Sequence, residues 1–273
     1  MNPYKVIVMD VDGTLTNKEK KITQKTKAAL KMAQEQGMIL VLASGRPTSG
    51  LLNLAKELEM DQHQGLLVSY NGSQVIDLST KTILFNNPLS ISEAKSILRH
   101  LKQFNLTPMI DDGVHLYVEN VDGYLVEYET KGNAFILKEV DDLEAFVEFE
   151  CHKILTSGMP DYLEEIFEDM KYPFNEQFNC IFTAPFYVEY TAKGIDKAKA
   201  LETVLNHLGC QKEEVVAFGD GHNDASMLKY VGLGIAMENA VQALKDIAYF
   251  VTFSNEEDGI AYALEKFCLN KKL

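Results

Sequence analysis

The stretch Val6-Ile7-Val8-Met9-Asp10-Val11-Asp12-Gly13-Thr14-Leu15 runs an unbroken apolar segment straight into two carboxylates. A short apolar run without alternation is the pattern of a strand buried on both faces, as in a parallel sheet covered by helices on either side. The strand stops at Asp10, and Gly13 permits a tight turn beyond it. Acidic residues at strand ends often serve only as turn residues or helix caps. Two anions at the mouth of an apolar strand, however, repel one another unless a cation or a proton intervenes, which favours a site.

Outward from this stretch the pattern repeats. Ile22, Thr26, Ala29, Leu30 and Ala33 recur at helical spacing, predicting a helix over 23–36 with Gly37 as its C-terminal cap. Met38 to Ala43 reads as a second strand, ending at Ser44-Gly45-Arg46-Pro47; Leu51, Leu54, Ala55 and Leu58 mark a helix; Leu66-Leu67-Val68 is a third strand, ending at Ser69-Tyr70-Asn71-Gly72. This alternation predicts an α/β fold with a doubly wound, Rossmann-like parallel sheet, in which ligands bind at the carboxyl ends of the strands.

The rhythm changes after Gly72. Two strands around residues 74–76 and 82–84 lead to Asn86-Asn87-Pro88, a candidate linker. The following stretch mixes a helix opened by a Ser90 to Glu93 capping box, a strand-turn-strand around Asp111-Asp112-Gly113, further strands at 134–140 and near Ile154 and Ile181, and a helix started by Pro160. It reads as an inserted α+β domain over residues 85–186, flanked by the two halves of a discontinuous core, 1–84 and 187–273. The parallel rhythm resumes with a helix from Ile195 to Leu208 and the strand Val215-Val216-Ala217-Phe218, which ends at Gly219-Asp220-Gly221-His222-Asn223-Asp224.

Parallel strand order brings this second acidic end to the same sheet edge as Asp10 and Asp12. Such a hard, oxygen-rich set suits Mg²⁺; zinc is disfavoured without Cys or clustered His. Asp220 is the firmer ligand candidate, whereas Asp224 has two open roles, capping the following helix or supporting the site from behind. Ser44 and Gly45 offer a hydroxyl and a close backbone approach for an oxyanion, though a plain proline-bearing turn would look the same. A lone lysine such as Lys193 is usually solvated. The combination of acid pair, hydroxyl, lysine and acidic strand end, in that order on α/β scaffolding, lifts Ser44 and Lys193 above those plainer readings.

Taken together, Asp10-Val11-Asp12-Gly13-Thr14, Ser44-Gly45-Arg46, Lys193-Gly194 and Gly219-Asp220-Gly221-His222-Asn223-Asp224 resemble the four motifs of the haloacid dehalogenase superfamily of phosphotransferases. The insertion resembles the large α+β cap of its Cof-type (subclass IIB) phosphatases. Asn71-Gly72, Asn239-Ala240 and Asn255-Glu256-Glu257-Asp258-Gly259 resemble that group's local signatures. Glu238 departs from them, standing where the group commonly has glycine before Asn-Ala.

The resemblance implies that Asp10 attacks phosphorus to form an aspartyl-phosphate, and that Asp12 acts as general acid and then general base. It implies Mg²⁺ held by Asp10, the backbone carbonyl of Asp12 and Asp220. Lys193, Ser44, Gly45 and Asn223 would bind the phosphoryl group, and Asp224 would orient Lys193 or a metal-bound water. Arg46 is a candidate substrate contact or an ordinary surface group, as are His222 and the Asp111-Asp112-Gly113 turn. The expected activity is Mg²⁺-dependent hydrolysis of a small phosphorylated metabolite, such as a sugar phosphate or a phosphorylated cofactor. A phosphosugar mutase on the same fold, or a regulatory protein that binds a phosphometabolite without turnover, are the alternatives; retention of both Asp10 and Asp12 weighs against the latter.

The 273-residue composition sets the outer bounds. Apolar residues make up 46% and charged residues 24%, which excludes disordered, fibrous and disulfide mini-protein classes. With 26 basic against 40 acidic residues the net charge is −14, which disfavours nucleic acid and anionic lipid as partners and obliges any anionic substrate to find a local cation. The four cysteines form no C-x-x-C pair, as expected of reduced packing residues in a cytoplasmic chain. No apolar run approaches membrane-span length, no export signal is visible, and monomer and homodimer are both open. Nor is there a complete dinucleotide fingerprint, a phosphate-binding P-loop, a G-x-S-x-G elbow or an H-E-x-x-H helix.

Overall fold

The computed structural model describes residues 3–172, 174 and 176–269. In chain order the first segment forms β1 (Val6–Met9), α1 (Gln24–Glu35), β2 (Ile39–Ala43), α2 (Thr48–Glu57), β3 (Leu66–Ser69), β4 (Gln74–Asp77) and β5 (Thr82–Asn86). The middle segment forms α3 (Ile91–Leu101), β6 (Thr107–Asp111), β7 (His115–Val118), α4 (Val126–Gly132), β8 (Ile136–Glu139), α5 (Leu143–Phe146), β9 (Ile154–Ser157), α6 (Pro160–Lys171), β10 (Phe178–Ala184) and β11 (Tyr187–Ala192). The last forms α7 (Lys197–Leu208), β12 (Val215–Gly219), α8 (Ala225–Tyr230), β13 (Leu233–Ala236), α9 (Gln242–Lys245), β14 (Phe250–Val251) and α10 (Gly259–Phe267).

The first and last segments share one sheet, ordered β14-β13-β12-β1-β2-β3-β4-β5. Its strands from β14 to β3 pair in parallel, and β4 turns back antiparallel on β3. β1 is central, so both its faces need cover. Ile7 and Met9 pack with Leu30 and Ala33 of α1, Leu51 and Leu54 of α2 and Ile260 and Leu264 of α10. Val6 and Val8 pack on the other face with Ala200, Leu201 and Val204 of α7 and Met227 and Leu228 of α8. All four β1 side chains are fully buried, which is why the strand reads as a continuous apolar run.

The chain divides into two compact units. One comprises the chain up to Gly45, Leu51–Phe85 and everything from Asp196 on; the other comprises Arg46–Gly50 and Asn86–Ile195. The second unit holds the sheet β10-β11-β9-β6-β7-β8, antiparallel except between β7 and β8. Leu98, Leu163 and Tyr190 are among the core on one face of this sheet, and Val126, Leu155 and Tyr187 among that on the other. The Ser90 capping box that opens α3 and the Pro160 start of α6 are present as expected.

Three details differ from the sequence reading. The return to the first unit falls at Asp196 rather than at 187, because β11 pairs with β10 and β9. Pro185 and Phe186 form the turn of the β10–β11 hairpin, so the chain is still inside the second unit where the insertion was expected to end, at 186. Arg46–Gly50 groups with the second unit rather than the core. The helix α4 is also unforeseen: in Val-Glu-Tyr-Glu-Thr-Lys-Gly only Val126 and Glu129 are buried, too short a run to show helical periodicity. The four cysteines are free thiols. Among the described residues no helix is long and apolar enough to cross a membrane.

Candidate active site

The parallel register lines up three strand ends. Met9 pairs with Phe218 on one side and Leu42 on the other, so the residues that follow, Asp10, Asp220 and Ser44, leave the sheet at one edge. The Asp10 N–H still donates to the Phe218 carbonyl at 3.0 Å, which holds Asp10 in the plane of the sheet. Its side chain is buried.

The lysine that meets it is Lys197. Its side chain is 0% exposed, and its Nζ lies 2.7 Å from Asp10 Oδ1 and 2.6 Å from Asp224 Oδ1. Lys197 is the first residue of α7, placed there by Asp196, whose carboxylate accepts the N–H groups of Ala198 and Lys199. The start of this helix rests on Gly72, where a Cβ would sit 2.7 Å from the Asp196 carbonyl oxygen. Gly72 has φ +108°, so the close approach and the backbone turn both require glycine. Lys193, the residue expected in this role, instead lies in the turn after β11, 60% exposed, donating to the Glu176 carbonyl and paired with its carboxylate. The assignment to Lys193 is therefore corrected to Lys197.

Asp224 resolves its two readings. Its Oδ2 accepts the N–H groups of Asp220 and Gly221, both at 3.0 Å, while Oδ1 receives Lys197. It makes no side-chain capping bond to α8. Both oxygens are thus committed to holding the loop and the lysine. Asp220 takes the Thr14 hydroxyl on Oδ1 at 2.6 Å. Gly13, at φ +82°, lets Asp220 pack against the backbone: a Cβ there would come within 2.4 Å of Oδ2.

Asp10, Asp220 and Asp224 each present an oxygen within 4.8 Å of the others. Burial pushes the Asp10 carboxyl well above its ordinary range; Lys197 opposes the rise, while Asp224 and Asp220 add to it. Asp220 is pushed up to about 6, first by burial and then by the charges of Asp224 and Asp12, against the Thr14 bond and Lys197. For Lys197 burial favours the neutral amine, but Asp10 and Asp224 outweigh it and raise its pKa. Three carboxylates balanced by one ammonium leave an excess of negative charge, and oxygen donors crowded in this way fit a hard divalent cation that would keep them ionised.

The phosphate-binding candidates lie on the same edge of the first unit. Ser44 is buried, with its N–H on the Val68 carbonyl and its own carbonyl accepting the Asn71 N–H. Gly45 lies against the Asn71 amide, and Asn71 Oδ1 accepts Asn223 Nδ2 at 3.0 Å. Asn71 and Thr14 were not assigned roles from sequence. The left-handed Asn71-Gly72 step directly after a buried parallel strand was the available signal for the first, at φ +56°. Asp12 is 39% exposed and paired with Lys20 Nζ at 2.6 Å. Arg46 donates to the Gly50 carbonyl within the second unit. His222 is exposed. Asp112 is a turn residue, accepting from the backbone of Val114 and His115 and from the Tyr117 hydroxyl. Glu238 is exposed, so the departure it marks does not enter the acid cluster, and its neighbour Asn239 donates to the Gly13 carbonyl.

Comparison with known proteins places this geometry. A solved haloacid dehalogenase-like hydrolase from Bacteroides thetaiotaomicron superposes with a TM-score of 0.91 at 36% identity, covering 96% of this chain and 99% of that one. A subclass IIB sugar phosphatase of the same superfamily shares the fold, with a TM-score of 0.81 at 24% identity over 96% of this chain and 98% of its own. Among relatives by sequence is a 5-amino-6-(5-phospho-D-ribitylamino)uracil phosphatase of Bacillus subtilis, 29% identical over 97% of this chain and 96% of that protein. Residues 7–264 match the family model for haloacid dehalogenase-like hydrolases, a span that includes both acidic strand ends and Lys197, and the chain belongs to that family.

Proposed function

We propose that this protein is a Mg²⁺-dependent phosphatase that hydrolyses small, polyhydroxylated phosphate monoesters through an aspartyl-phosphate on Asp10. The observation that carries the reading is the buried Asp10 carboxylate at a strand end, held by Lys197 and crowded by Asp220 and Asp224. A carboxylate in that position is a fixed nucleophile rather than a surface charge. As an Asp10 oxygen bonds to phosphorus, the ester P–O bond breaks and its electron pair passes to the leaving oxygen, which takes a proton from Asp12. Asp12, now a carboxylate, accepts a proton from the water whose oxygen bonds to phosphorus as the bond between phosphorus and the Asp10 oxygen breaks, which returns the Asp10 carboxylate and releases phosphate.

Lys197 offsets the charge of Asp10 and of the incoming phosphoryl group, a task that needs a local cation in a chain of net charge −14. Asp224 keeps the ammonium in place. Ser44, Gly45, Asn71 and Asn223 form the polar lining available to phosphoryl oxygens. Mg²⁺ would be held by Asp10, the Asp12 carbonyl and Asp220, since both Asp224 oxygens are already occupied, and it would neutralise charge on the phosphoryl oxygens. The ribityl and sugar substrates named for two relatives support a polyhydroxylated ester as the substrate class.

A panel of sugar, polyol and aryl phosphates, assayed with Mg²⁺ in ¹⁸O-labelled water, tests this. Wild type should release labelled phosphate, and Asp10→Asn should lose at least about 10³-fold of that activity. Turnover retained in Asp10→Asn would remove the nucleophile, and a phosphosugar product formed without release of labelled phosphate would favour transfer to a sugar over hydrolysis.

A further inference from the structure

Asn239 is exposed, yet both ends of its amide are committed to backbone groups from distant parts of the chain. Its Nδ2 donates to the Gly13 carbonyl at 2.8 Å, and its Oδ1 accepts the Asn255 N–H at 3.1 Å. The amide fits only this way round, because the Asn255 N–H must meet an oxygen. Ordering an exposed side chain costs rotamer freedom, and solvated hydrogen bonds add little net stability in return. The place of these bonds in the fold gives them another use.

Asn239 lies in the turn that follows β13, between two backbone bonds to the loop after β12. The Met237 N–H donates to the Gly219 carbonyl and the Val241 N–H to the Asp220 carbonyl, both at 3.0 Å. The loop after β1 is shaped from within, by the Leu15 N–H on the Asp10 carbonyl and by the Thr16 N–H and hydroxyl on the Val11 carbonyl. Those bonds set the form of the β1 loop but not its distance from Asp220. Past the β1–β12 pairing, that distance depends on groups that span the two loops. The Thr14 hydroxyl reaches the Asp220 carboxylate, and can follow it if the side chain turns. Asn239 acts between backbones instead: its own turn is tied to Gly219 and Asp220, and its side chain to Gly13. Asp10 and Asp220 repel one another until a cation arrives, and a link of this kind holds their loops together against that repulsion.

We propose that Asn239 is a positioning residue for the divalent cation: it clamps the loop bearing the Asp12 carbonyl to the loop bearing Asp220, so that the oxygen donors are spaced before the ion binds. The inference rests on the Mg²⁺ site proposed above. Its effect belongs in the affinity for the ion, since donors that are already in place need not be ordered on binding.

Mg²⁺ titrated by calorimetry into EDTA-treated, dialysed protein reads that affinity without turnover. Asn239→Ala should raise the Kd for Mg²⁺ about tenfold, whereas Asn255→Ala should change it less than about twofold. The second variant removes the bond from Asn255 Nδ2 to the Thr16 carbonyl but keeps the Asn255 N–H on Asn239. Asn239→Asp keeps the acceptor for Asn255 and loses only the donor to Gly13. Its added negative charge would by itself tighten Mg²⁺ binding, while loss of the clamp should weaken it. A merely structural role would lower the Tm in EDTA and leave the Kd alone. An unchanged Kd in Asn239→Ala, a lower Kd in Asn239→Asp, or an equal rise in Asn255→Ala would overturn the proposal. Asp220→Asn is the reference. If it binds Mg²⁺ as wild type does, the cation site falls and takes Asn239 with it; if it loses the ion while Asn239→Ala binds normally, Asn239 alone falls.

Discussion

Lys193 and Lys197 lie close together in the chain and carry the same chemistry, yet one is 60% exposed and the other is sealed between two carboxylates. The difference was legible in principle. Asp196 has the residue type and position of an N-cap, which places Lys197 at the first helical position, whereas Lys193 precedes Gly194 in a turn with φ +78°. A lysine next to a glycine is the weaker signal, because it says nothing about where the side chain points. The two lysines are separable by mutation. Lys193→Met should leave kcat/KM within about twofold, while Lys197→Met should lower it by about 10²–10³-fold. Removing Lys197 also strands two buried carboxylates, at a cost of about 3–5 kcal/mol, so circular dichroism must confirm folding before rates are compared. A larger loss in Lys193→Met would return the charge-compensating role to that residue.

At the scale of elements, strands and long helices were readable because burial on both faces or on one stripe leaves a pattern of period. What escaped was set by contacts between distant residues. The hairpin containing Pro185 and the seven-residue α4 have too little pattern of their own, and β11 joins the second unit only through its partners β9 and β10. The β4–β5 connection shows local chemistry that is strong enough to read. Asp77 Oδ1 accepts the N–H and hydroxyl of Ser79 and the N–H of Thr80, and Oδ2 faces His207 of α7 at 3.0 Å. Burial works against the ionised carboxylate, but these bonds outweigh it and hold the pKa at about 2. A carboxyl depressed on folding stabilises the native state above its unfolded value near 4, and that contribution is lost as pH falls from there towards 2. Asp77→Asn should therefore cost about 2 kcal/mol at pH 7 by denaturant unfolding, and the gap from wild type should shrink to less than half at pH 2.5. A gap that stays constant with pH would mean the turn is held by shape rather than by the charge.

At the scale of the whole molecule, the acid cluster shows where foldability and chemistry diverge. The strand ends that gather Asp10, Asp220 and Asp224 follow from the parallel register, so their convergence could be anticipated, and the resemblance implied that Asp224 orients a lysine; that the lysine is Lys197, and that the second Asp224 oxygen holds the backbone of Asp220 and Gly221, depends on the turn of the Gly219–Asp224 loop and could not be read in advance. Without a cation, these carboxylates repel one another, and Asp220 and Asp10 are both pushed up in pKa for that reason as well as by burial. An acid raised on folding destabilises the native state above its unfolded value: stability falls as pH rises from about 4 towards 6 and stays lower beyond. At pH 7.5 in EDTA, Asp220→Asn should thus raise Tm by about 3 °C. Adding millimolar Mg²⁺ should raise the wild-type Tm by a similar amount, since a ligand that binds only the native state stabilises it, and should leave the Tm of Asp220→Asn nearly unchanged. Differential scanning fluorimetry with and without Mg²⁺ measures all four values. A variant no more stable than wild type in EDTA, or one that still responds to Mg²⁺ in full, would show that Asp220 neither bears the repulsion nor holds the ion.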